Sequence, residues 1–265
     1  IAVDFIEPKV FLVGETRVLL DKVQEYFIEI GATEWKSDAT SDIEMLVELM
    51  GRICYRSFKP GLNPNVTTIR EHNDEYLRNI LETGHGSVLE HSSLSFIFMN
   101  VSRVLTHELV RHRIGVAISQ ESLRYVRLDK LNFWFPAIFR DHPKRDELMD
   151  LCAKKVEQDE QFQLRLVKIL EIEQEKKFAV KKKLTSAMRR FAPIGLATSI
   201  GWSVNMRSLR HVIEMRTDPS AEEEIRLVFG KVAEIVKKRY PNFFNDYEVE
   251  IVDGLPWYKT SNRKV

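Results

Sequence analysis

Cysteine is almost missing from this 265-residue chain, which has only Cys54 and Cys152. Two cysteines in neither zinc-ribbon nor redox spacing exclude a disulfide framework and suit a reducing compartment. Long apolar runs are missing as well, none approaching the roughly 20 residues of a membrane-spanning helix. The first stretch, Ile1 to Gly14, is apolar but carries Asp4, Glu7 and Lys9 and no basic leader, so the chain reads as soluble, unexported and cytoplasmic, with no membrane partner. Nor does one sign of charge dominate. The 40 Lys and Arg residues face 39 Asp and Glu, a net charge of +1, which argues against a uniformly basic nucleic-acid surface and leaves local clusters to carry function. No P-loop or dinucleotide glycine fingerprint occurs, so any nucleotide is held in another way. No repeat or low-complexity linker marks a boundary, and residues 1–265 are expected to form a single domain.

With 44% hydrophobic residues the chain can bury a substantial core, and the spacing of those residues predicts mainly helices. Three-and-four spacing marks Leu19–Ile30, Ile43–Ile53 and Tyr76–Leu81 as helical, while Val10–Val13 and the alternating Leu94–Val101 read as strands. Val104, Leu105, Leu109 and Val110 form a stripe that leads to Arg111 at a helix end. Asn132–Phe139 reads as a strand. Pro143–Lys183 reads as one long charged helical region whose run Lys181–Lys183 is most simply a solvated face. Ala197–Val204 is a strand or a buried helical turn, Asn205 an N-cap for a helix reaching Arg216, and Ala221–Arg239 the last helix.

The stretch Arg103–Arg127 holds five arginines and no lysine, a composition suited to fixing anions in defined geometry. His107-Glu108 and His112 resemble a zinc-protease helix only superficially, because the histidines are five apart where one helical face needs four. His85 and His91 have no third ligand in suitable spacing, so no metal is expected. Ser122 lacks a nucleophile elbow. If Ser122–Val126 is extended, Ser122 and Arg124 share a side and suit a phosphate monoester. The plainer alternative is that these arginines pair with Glu108, Glu121 and Asp129 at the surface.

Arg111-His112-Arg113 followed by Ser122-Leu123-Arg124-Tyr125 resembles the signature of the flavin-dependent thymidylate synthases, here with an eight-residue spacer, Ile114–Glu121, in place of the usual seven. Upstream, Gly84-His85-Gly86-Ser87-Val88-Leu89-Glu90-His91 is similar to the family's Gly-His-x-Ser/Thr-x-x-Glu-His segment. Downstream, Asn205-Met206-Arg207-Ser208-Leu209 and Arg216 match in the same order. The resemblance implies an α+β subunit, helices packed around a small, largely antiparallel sheet, in a homotetramer with sites at subunit interfaces. It implies reductive methylation of deoxyuridylate (dUMP) to thymidylate (dTMP), with 5,10-methylenetetrahydrofolate as carbon donor and NADPH reducing bound FAD. By position, Ser87, Arg111, His112, Arg113, Asn205, Arg207 and His211 would contact FAD. Glu108, Arg111, Gln120, Ser122, Leu123, Arg124, Arg189 and Arg216 would contact dUMP. Glu108, Gln120 and His211 depart from the residues usual there. Arg216 is the expected catalytic group, stabilising charge on the pyrimidine with no side-chain nucleophile. Glu90 and His91 alternatively cap the strand that follows them. Two other functions share the residues: a nucleotide-binding relative without turnover, and an RNA- or DNA-binding module using Arg103–Arg127 with Tyr125, Phe133 and Trp134.

Overall fold

The computed structural model describes residues 5–125 and 130–263; Val126 and Arg127 of the arginine-rich stretch, and Asp129 beyond it, lie outside them. In chain order the elements are β1 (Lys9–Glu15), α1 (Leu20–Ile30), α2 (Asp42–Tyr55), α3 (Asn73–Thr83), a 3-10 turn (Gly86–His91), β2 (Ser93–Ser102), α4 (Arg103–Leu109) and β3 (Val116–Gln120). They continue with α5 (Ala137–Arg140), α6 (Arg145–Ile169), α7 (Phe178–Met188), a 3-10 turn (Arg189–Phe191), β4 (Ala197–Asn205), α8 (Met206–Thr217), α9 (Glu223–Arg239), α10 (Pro241–Phe244), β5 (Tyr247–Val252) and β6 (Leu255–Thr260). This is an α+β arrangement with a small four-stranded sheet in the order β1-β2-β4-β3 and a separate hairpin of β5 and β6. Two compact units share the chain: residues 1–11, 97–111 and 118–201 form the first, and residues 12–96, 112–117 and 202–265 the second. Each of the four sheet strands gives residues to both.

The second unit holds the larger core. Ile43 and Val47 of α2, Leu77 and Ile80 of α3, and Leu209 and Ile213 of α8 are all buried, as are Val228, Val232 and Val236 of α9. Those positions repeat every three or four residues, which is why the helices form where the apolar spacing predicts. Asn205 caps α8 by accepting from the Ser208 amide at 2.8 Å. Inside this core the Arg52 guanidinium donates to Glu48 at 2.8 Å, and Arg210 donates to both Asp246 oxygens at 2.9 and 2.7 Å, so these buried charges are compensated. The hairpin turns at Asp253 and Gly254, both left-handed, with φ of 54° and 75°. That pair is what a two-residue type I′ connection requires.

The first unit has a smaller core in which Leu131, Val156 and Leu196 pack with Leu123, Phe133 and Ala192. Two expectations are corrected here. Asn132–Phe139 is not a strand: Phe133 makes isolated bridges to Phe5 and Leu196, and Pro136 opens the short α5, because proline cannot donate to a ladder. Pro143–Lys183 is not one continuous helical stretch either; α6 ends at Ile169, and Glu171 takes a left-handed φ of 46° before α7 begins at Phe178. Ala197–Val204 takes the strand alternative, with every second residue buried.

Candidate functional site

In the second unit three segments converge. The strand-to-helix junction of β4 and α8 anchors the other two: the Asn205 amide donates to the Gly115 carbonyl and the Met206 amide to the Ser92 carbonyl, each at 2.9 Å. The Ser208 hydroxyl donates to the Ile114 carbonyl at 2.8 Å. Gly115 sits at φ +65°, and a Cβ there would lie 2.1 Å from the Asn205 side-chain nitrogen, so the close approach and the turn both require glycine. The eight-residue spacer is thereby resolved into a tight turn at Ile114-Gly115, the edge strand β3 and Glu121.

On this frame the Arg216 Nε donates to His112 Nε2 at 2.7 Å. Burial, then the charges of Arg216 and His211, push the His112 pKa from its ordinary 6.5 to about 4. The imidazole is therefore neutral at physiological pH and able to accept that bond. Arg207 donates to Glu90 at 2.6 Å across 117 residues of sequence. Glu90 thus has a side-chain partner on α8. Arg113 and His211 are exposed, and Ser87 lies exposed on the 3-10 turn Gly86–His91. Arg113, His211 and Ser87 thus present a guanidinium, an imidazole and a hydroxyl to solvent, donor types that suit an anionic ligand.

In the first unit α4 is capped by Ser102, whose hydroxyl accepts from the Leu105 amide at 3.1 Å. The helix ends at Leu109, which places Arg111 just beyond it, as the apolar stripe predicts. The following strand brings Gln120 back to this helix, its amide donating to Thr106 at 3.3 Å. Arg103 donates to the Glu121 carbonyl at 3.0 Å. Burial lowers the Arg103 pKa against the opposing pull of Glu121, and the positive charge of Arg189 lowers it further.

Ser122–Tyr125 is a turn, so the extended conformation on which a shared side for Ser122 and Arg124 was conditional is not adopted there. The Tyr125 amide donates to the Ser122 carbonyl at 2.9 Å, and the Arg124 amide to the Ser122 hydroxyl at 3.3 Å. Ser122 and Arg124 are held together by this turn, with no need for strand alternation. Leu123 packs into the small core of the first unit.

Sequence reasoning missed three residues. Glu121, read as a surface ion-pair partner, accepts from the Ser199 amide at 3.0 Å and fixes the end of β3. Thr106 receives Gln120, and Thr185 donates to the Arg124 carbonyl at 2.9 Å. Only Glu121 carried a signal, its place beside Ser122. Glu108 lies on α4, half-buried.

The model of the family described as thymidylate synthase complementing protein matches residues 37–242, which include every signature position discussed above. Similar proteins include the flavin-dependent thymidylate synthases of Corynebacterium diphtheriae (33% identical), Corynebacterium efficiens (35%) and Mycobacteroides abscessus (34%). Each of these alignments covers 86% of this chain and 89% of the relative. With three motif segments in order, their side chains placed as described and likeness over most of its length, this chain belongs to the flavin-dependent thymidylate synthase family.

Proposed function

We propose that the chain is an FAD-dependent thymidylate synthase, a methyltransferase that converts dUMP to dTMP with 5,10-methylenetetrahydrofolate as carbon donor and NADPH as reductant. The observation that carries this reading is the family match over residues 37–242, which spans both groups of site residues. The donor set of Ser87, Arg113, Asn205, Arg207 and His211, with Arg111 and His112, fits FAD: several cations, one hydroxyl and one amide. Asn205 uses its oxygen to cap α8, which leaves the side-chain nitrogen as its donor. When bound, flavin supplies the electrons that turn the transferred one-carbon unit into a methyl group.

This chain's own residues bind, orient and polarise. Arg216 faces the pyrimidine and stabilises negative charge as the ring becomes nucleophilic at C5. Neutral His112 accepts from its Nε and fixes the plane of the guanidinium. Ser122 and Arg124 hold the dUMP phosphate in the turn, with Arg189, Gln120, Glu108 and the Leu123 backbone as further contacts. The Ser122 hydroxyl already accepts the Arg124 amide, an orienting arrangement, and no serine adduct is needed. The polypeptide acts as a homotetramer with sites at subunit interfaces. Phe11, Ile97, Met99 and Ile118, exposed apolar positions on strands of the first unit, supply the kind of surface that assembly covers. No helix among the described residues is long and apolar enough to cross a membrane, and both cysteines are free, which supports a cytoplasmic place of work.

The test is product analysis with purified protein, FAD, NADPH, methylenetetrahydrofolate and dUMP. Thymidylate is expected from the parent and from Ser122→Ala, the latter with weaker dUMP binding. A covalent serine adduct in the parent, with no product from Ser122→Ala, would remove the binding role given to Ser122.

A further inference from the structure

Four of the residues proposed to hold flavin and dUMP stand on α8 or at its cap: Asn205, Arg207 and His211 from its start onward, and Arg216 in the last turn. Where those side chains point depends on how the helix is seated. Its buried stripe includes Arg210, Ile213 and Thr217, three and four residues apart and each no more than 1% exposed, so the three share one face. Two of them are polar, although apolar side chains would serve for burial. Apolar contacts are non-directional and tolerate sliding, whereas a hydrogen bond weakens steeply as its angle changes.

Both polar residues are directed at the β5–β6 hairpin and the residue that leads into it. Arg210 donates to both oxygens of Asp246, just before β5, and the Tyr247 hydroxyl donates to the Arg210 carbonyl at 2.8 Å. Further along the helix the Thr217 hydroxyl donates to the Ile213 carbonyl at 2.8 Å and accepts from the Tyr258 amide of β6 at 3.0 Å. A hydroxyl has one proton, and once Ile213 receives it only lone pairs face the strand. Thr217 and Tyr258 are both buried, so loss of this hydroxyl would leave the Tyr258 amide without an acceptor. Thr217 follows Arg216 directly, and the next residue, Asp218, already leaves the helical conformation, with φ −57° and ψ 137°. The two bonds of Thr217 therefore hold the last turn where the backbone is about to depart from the helix. Turning it by one residue step, about 100°, would carry Arg216 away from His112.

We propose that Thr217 is a positioning residue for Arg216, and that the β5–β6 hairpin, through the Tyr258 amide, sets the direction in which that guanidinium is presented. The inference rests on the role proposed for Arg216 and deepens it. His112 serves as a reporter that needs no turnover, because it accepts from the Arg216 Nε at 2.7 Å and, after burial, the charges of Arg216 and His211 lower its pKa.

Thr217→Val keeps the volume and removes the hydroxyl, while Thr217→Ser keeps the hydroxyl. Thr217→Ala removes it without the added methyl and gives a second test should the valine variant fail to fold. In the FAD-loaded full chain, kcat at saturating dUMP should fall about 10- to 100-fold in Thr217→Val and recover in Thr217→Ser. Flavin retention should stay at the parent level, since the Asn205 cap at the other end of α8 is untouched. The His112 imidazole, followed by NMR of labelled histidine without substrates, should titrate above the parent value of about 4, toward 6.5, in Thr217→Val and Thr217→Ala but not in Thr217→Ser. An unmoved His112 titration or a normal kcat in Thr217→Val, or equal losses in the valine and serine variants, would overturn the proposal. A normal kcat in Arg216→Ala would instead remove the role given to Arg216, and the His112 titration would still decide whether Thr217 positions that side chain.

Discussion

A single hydrogen bond, Arg216 Nε to His112 Nε2 at 2.7 Å, ties the Arg-His-Arg triplet to the arginine proposed to polarise the substrate. It forms because His112 is neutral: burial first, then the neighbouring Arg216 and His211, hold its pKa at about 4. The sign of the pH effect follows. The unfolded chain takes up a proton at this residue near 6.5, which the folded chain refuses until about pH 4. Its contribution to stability is therefore complete above pH 6.5 and is lost as the pH falls through that window. His112→Gln should flatten the fall in Tm between pH 6.5 and 4, measured by scanning calorimetry; an unchanged slope would mean that His112 titrates normally. At the same scale, Arg216→Ala should lower kcat about 100-fold, the usual cost of removing a donor aimed at developing charge. Stopped assays at saturating dUMP measure this, and near-normal kcat would place the charge stabilisation elsewhere. The sequence did place Arg111 just past a helix end and Asn205 as the N-cap of α8, because apolar spacing and capping are local signals. The His112–Arg216 pairing was not legible, since it joins positions 104 apart.

Elements tell a more divided story. Helices α1, α2, α8 and α9 follow directly from apolar spacing, which buries one stripe of each. The edge strand β3, in contrast, has a half-exposed pattern with no buried alternation, so periodicity was silent on it. The β5–β6 hairpin was overlooked although Asp253-Gly254 is a strong turn signal between two strands; the polar, basic character of the tail masked it. The junction that carries β3 toward α8 yields two predictions. Gly115→Ala should cost about 1–3 kcal/mol, because alanine must adopt a left-handed backbone and its Cβ meets Asn205; denaturant unfolding measures it. Asn205→Asp keeps the acceptor that caps α8 and removes the donor proposed for flavin. Tm should hold while flavin retention falls, whereas Asn205→Ala should also lose about 1 kcal/mol of stability with the cap. Equal flavin retention in parent and Asn205→Asp would remove Asn205 from the cofactor's contacts.

For the whole molecule the sequence supplied the α+β class and family through ordered motifs, yet composition alone carried neither. Balanced charge hides the arginine-rich stretch, and the two compact units interleave three chain segments each, an arrangement with no linker to read. Assembly belongs to this scale. Exposed Ile97 and Met99 on β2 should be covered in the proposed tetramer, so Ile97→Glu is expected to shift sedimentation from tetramer to smaller species. A parent protein that sediments as a monomer at micromolar concentration would refute that part of the proposal. The claim on which the functional account stands is flavin-dependent methylation of dUMP. It is tested most directly by the visible absorption of the purified, FAD-loaded protein under anaerobic conditions, with NADPH added first and dUMP with methylenetetrahydrofolate afterwards. The account predicts bleaching of the flavin band by NADPH, then its return in step with thymidylate; a band that never bleaches, or returns without thymidylate, would contradict it.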